Sequence, residues 1–91
     1  MPYIVHDDRI HIDSLLGPLI TEMERNSAWF KRDGIGRLNY VITRVILATQ
    51  PDRYRDYNEL LGLLEAVKLE LYRRRVAPYE NLKAVATGDV Y

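Results

Sequence analysis

The stretch Leu60-Leu61-Gly62-Leu63-Leu64-Glu65-Ala66-Val67-Lys68-Leu69-Glu70-Leu71-Tyr72-Arg73-Arg74-Arg75-Val76 decides the fold. Laid on a helix at about 100° per residue, Leu60, Leu64, Val67 and Leu71 fall on one narrow stripe, and Leu61, Leu69, Tyr72 and Val76 on a second, broader one. A helix that is apolar on two faces belongs in the middle of an assembly. A chain of 91 residues has few other elements with which to cover both faces. The expected object is therefore an all-α protein, a small bundle of three main helices that needs a second copy of itself.

Working outward, composition limits the function classes. The chain is 47% hydrophobic and 29% charged, as expected of one compact helical domain over 1–91. Lys plus Arg equals Asp plus Glu at 13 each, so no global field favours nucleic acid or an anionic membrane. The absence of cysteine removes disulfides, thiol nucleophiles and thiolate metal sites, and fits a reducing compartment. Asp7, Asp8 and Arg9 stand where a signal peptide needs an apolar run, and no stretch approaches the ~20 apolar residues of a membrane span. A cytoplasmic protein without membrane partners is expected.

Two further helical segments precede the deciding stretch. After an extended start at Pro2 to Val5, a periodic run begins near Asp8, with Ile12, Leu15, Leu16, Leu19, Ile20 and Met23 on one face. Pro18 interrupts its hydrogen-bond ladder at a cost of ~3 kcal/mol without interrupting the apolar stripe, which predicts a kinked first helix or two short helices in line. Between Glu24 and Arg37 the periodicity stops and turn residues take over. This loop holds the neighbours Trp29 and Phe30, followed by Lys31 and Arg32: either one ring plugs the end of the bundle, or the pair forms an exposed aromatic-basic contact. Leu38, Val41, Ile42, Val45 and Ile46 then repeat at helical spacing, and Tyr40 and Leu47 lie on the opposite face. Asp56 with Glu59 reads as a capping box opening the third helix, and Val76-Ala77-Pro78 as its end, with a short fourth helix from Pro78 to Val85 and a break at Gly88.

Candidate chemistry is sparse. Asp7 and His11 share a helical face, but His6 diverges from His11, so two ligands converge where zinc needs three or four; the acids suit a helix N-terminus better. No phosphate-binding glycine loop, carboxylate cluster for magnesium or nucleophile set is present. No enzyme activity, metal or cofactor is expected. Arg73, Arg74 and Arg75, flanked by Tyr72 and Tyr79, form the one charge run. Glu70 and Glu80 are placed to neutralise part of it; the alternative is a phosphate-binding cluster with stacking tyrosines, which would make this a nucleic-acid-binding accessory protein.

Met1-Pro2-Tyr3-Ile4, Leu38-Asn39-Tyr40-Val41-Ile42-Thr43-Arg44, Leu64-Glu65 with Lys68-Leu69-Glu70-Leu71-Tyr72-Arg73-Arg74, Ala77-Pro78-Tyr79-Glu80 and Gly88-Asp89-Val90-Tyr91 resemble a family of small phage and bacterial proteins, a domain of unknown function. The resemblance transfers no catalytic residue. It implies docked termini, and it sets Trp29 to Gly34 apart as a longer connection than that family's. The expected function is thus a non-enzymatic accessory or interaction protein that self-associates through Tyr40, Leu47, Leu61, Leu69, Tyr72 and Val76.

Overall fold

A computed structural model describes residues 4–91. Every regular element among them is helical. The chain divides into two compact units, one ending at Gln50 and one running from Pro51 to Tyr91.

In the first unit, helix α1 spans His6–Arg25 and α2 spans Ile35–Ala48. Asp7 and Asp8 occupy the first turn of α1, beside the positive end of its dipole. Of the extended start expected at Pro2 to Val5, residues 1–3 lie outside the described residues. Val5 is extended, and the Ile4 carbonyl accepts a 2.9 Å hydrogen bond from Arg9 Nε. Pro18 lies inside α1, which continues as one helix on both sides of it. The helix ends where Asn26 turns back: its backbone N–H donates to the Glu22 carbonyl at 2.9 Å and its side chain to the Glu22 carboxylate at 2.7 Å. Two short 3-10 turns, Ser27–Phe30 and Arg32–Gly34, then replace the irregular loop expected before α2. The apolar period from Leu38 to Ile46 is helical, as its spacing requires, despite its β-branched content. Gln50 closes the unit in a left-handed conformation at φ 58°.

In the second unit, α3 spans Tyr54–Leu71. Asp56 does not cap it as the N-terminal residue of a box with Glu59; it occupies the third helical position and reaches back, its Oδ2 accepting from the N–H groups of Arg53 and Asp52 at 3.2 and 3.1 Å. Those two donors hold the Asp56 carboxyl below its ordinary pKa.

The expected end at Val76-Ala77-Pro78 is not an end. Residues Tyr72–Val76 form a π turn, and α4 follows without a break over Ala77–Thr87. The cause is Pro78, which has no N–H to give to the preceding turn and whose ring crowds it. Widening that turn, so that the Ala77 N–H bonds the carbonyl of Tyr72 five residues back, lets the helix pass the proline. The fourth helix is therefore a continuation of the third, and together they run about 50 Å at 1.5 Å per residue. Gly88, at φ 91°, stops α4 with its N–H on the Ala84 carbonyl at 2.8 Å.

Neither unit forms the packed bundle core that the apolar periods predict. Contacts between elements in the first unit run through the 3-10 turns, and in the second along one helical axis. Phe30 is the one buried apolar residue among those described. Leu64, Val67 and Leu71, expected on the inner stripe of α3, are exposed, because α4 runs on from α3 instead of folding back over it.

Candidate interaction surface

The arginine run lies on the π turn, where Glu70 gathers two of its members. Arg73 Nη2 donates to both oxygens of Glu70, at 3.0 and 2.8 Å, and Arg74 Nε donates to Oε2 at 2.8 Å. These bonds hold Glu70 below the usual glutamate pKa. Beyond the turn, the Glu80 carboxylate accepts from the Tyr72 hydroxyl and pushes that phenol's pKa up. Glu70 thus neutralises part of the arginine charge as its spacing predicts, whereas Glu80, expected to do the same, is engaged by Tyr72. Tyr79 is exposed and carries the Lys83 ammonium 5.5 Å from its ring centroid.

The α1–α2 corner divides the two expectations for its aromatic pair between the two rings. Phe30 is 8% exposed and plugs the corner; Trp29 is 55% exposed. The rings meet edge to face at 5.1 Å between centroids. Arg37, from the first turn of α2, covers the indole with its guanidinium 4.1 Å from the centroid and donates to the Trp29 carbonyl at 3.0 Å. Gly34 is buried beneath, where a Cβ would overlap the Trp29 carbonyl. Nothing in the sequence marks Arg37 or Gly34 for this role. The eight-residue reach from Trp29 to Arg37 has no local period, and a glycine between turn residues reads as an ordinary turn.

The residues expected at an interface all lie in helices but in both units. Tyr40 and Leu47 of α2, Leu61 and Leu69 of α3, and Tyr72 of the π turn are exposed, and Val76 is half-buried. Arg44 packs along Tyr40, donating to its hydroxyl at 3.3 Å. Gly62, with Ala66 on the third side of α3, has no neighbour within 4 Å. That Leu82 and Tyr79 share one long helix with Leu61, Leu69 and Tyr72 is hidden in the sequence, because Pro78 reads there as a stop. Among the described residues there is no group of three or more His, Asp or Glu able to hold a metal, and no helix long and apolar enough to cross a membrane.

These features describe a small all-helical protein with one tightly built corner and long, uncovered apolar faces. The chain belongs to the family described as Domain of unknown function (DUF6899), whose model matches residues 1–90. No curated protein and no solved structure matches it.

Proposed function

We propose that the protein is a non-enzymatic accessory or interaction protein that works as a self-associated assembly, joined through the apolar faces of α2, α3 and the π turn. One observation carries this: apolar side chains make up nearly half the chain, yet Phe30 alone among the described apolar residues is buried. A soluble monomer rarely leaves contiguous apolar faces of this extent in water. Tyr40, Leu47, Leu61, Leu69 and Tyr72, all more than half exposed, supply one such face, and Leu64, Val67 and Leu71, exposed because α4 runs on from α3, supply another. Zero net charge favours a like copy, since two identical chains then meet without net repulsion. The family match spans both units, which supports treating 1–91 as one domain completed by association.

Sedimentation over a concentration series tests the proposal, which requires a dimer or larger species at micromolar protein. Nucleic acid is the weaker candidate for a partner. It draws on Tyr72, Arg73, Arg74, Arg75 and Tyr79, but Glu70 already neutralises part of the arginine charge there.

A further inference from the structure

The π turn changes which residues share a face. Along α3, Tyr57, Leu60, Leu64, Val67 and Leu71 form a seam spaced three and four residues apart. Continued as a plain α-helix, the seam would run into Arg74, Arg75 and Pro78. A π turn inserts about one residue without advancing the helical phase, so the seam steps from Leu71 to Val76 and proceeds through Tyr79, Leu82 or Lys83, and Ala86. These positions stay within roughly 60° of the line set by Leu60. The arginines are confined to one interruption in a seam whose other positions are apolar save Lys83.

The re-phased seam is also self-complementary. Reversed end to end about a point between Leu71 and Tyr72, it maps onto itself: Tyr57 meets Ala86, Leu60 meets Lys83, Leu64 meets Tyr79, and Val67 meets Val76. The same reversal sets Arg73 of one copy level with Glu70 of the other. A parallel pairing would instead set Arg73, Arg74 and Arg75 against themselves and Glu70 against Glu70. The exposed surface is sufficient. Tyr57, Leu64, Val67, Leu71, Tyr79 and Leu82 each expose between 39% and 72% of their area, and such side chains along the whole seam supply of the order of 800 Å² per partner, the size of a standard interface.

Resting on the self-association proposed above, the geometry points to a specific pairing: two copies of this chain join antiparallel along the Tyr54–Thr87 helix, with the π turns crossing at the two-fold axis. The π turn is then the device that carries an apolar seam past an arginine cluster.

The chain has no cysteine, so introduced thiols report without background. A nitroxide on Arg55→Cys, at an exposed position off the seam, should show a spin–spin distance of about 50 Å across the dimer. Under mild oxidation, Val67→Cys mixed with Val76→Cys should form a disulfide-linked dimer, whereas neither variant alone should. A distance under about 25 Å, or linkage of Val67→Cys alone, would mean a parallel pair and overturn the inference while leaving self-association standing. A dimer with neither the long distance nor the mixed disulfide would overturn it equally. A monomeric nitroxide-labelled protein would remove both proposals at once.

Discussion

Gly34 and Gly36 stand two residues apart at the start of α2, and replacing each with alanine should move stability in opposite directions. At Gly34 the added methyl would overlap the Trp29 carbonyl, a backbone group that cannot swing aside as a side chain could. That carbonyl is further fixed by its 3.0 Å bond from Arg37, and the Trp29 N–H by its 3.0 Å bond to Asn26. Relief therefore requires opening the corner around Phe30, and overpacking of this kind costs ~1 to 3 kcal/mol. At Gly36 an added methyl would have nothing within 4 Å, and the residue lies in the first turn of the helix. There alanine removes backbone freedom from the unfolded chain and contributes ~0.5 to 1 kcal/mol. For a domain of this size a kcal/mol corresponds to ~4 to 8 °C in Tm, so Gly34→Ala should melt ~5 to 20 °C lower and Gly36→Ala a few degrees higher. Circular dichroism melts at one fixed protein concentration measure both, since association otherwise moves Tm. Equal melting temperatures, or a more stable Gly34→Ala, would refute the corner as described.

Other perturbations have equally definite outcomes. Leu64→Ala and Leu71→Ala should weaken association at least tenfold by dilution-dependent sedimentation, whereas Glu22→Ala at the end of α1 should leave it unchanged; equal effects would place the interface elsewhere. Asp56 and Glu70 titrate below their ordinary values, so their stabilisation is present above the usual carboxylate range near 4 and is lost as pH falls through the lowered values. Acid melts should accordingly show Tm falling below about pH 4, with a shallower fall in Asp56→Asn and Glu70→Gln. Changing Arg73, Arg74 and Arg75 together to Gln should lower Tm only slightly, because the ion pairs to Glu70 are solvent-exposed and screened. If the wild type instead binds RNA or DNA with sub-micromolar, salt-sensitive affinity that a folded triple variant loses, the arginines serve nucleic acid.

The helices of this chain are legible wherever apolar residues repeat, because the period is a local property: Leu38 to Ile46 and Leu60 to Leu71 are helical as their spacing demands. Pro78 misleads because proline constrains the turn before it, and whether that turn ends or widens is decided by five backbone groups together. The corner escapes for a related reason. The stack of Arg37 on Trp29 and the close approach at Gly34 join residues with no periodic relation, and composition carries no record of them. The two apolar faces of α3 are plain in the sequence. What they lack is a cover, and the described chain leaves them uncovered.

Molar mass in solution tests that point most directly. Light scattering on the eluting protein at high micromolar concentration should give at least twice the 10.7 kDa of one chain. A mass of 10.7 kDa there, with the helical circular dichroism intact, would contradict self-association as the way these faces are buried.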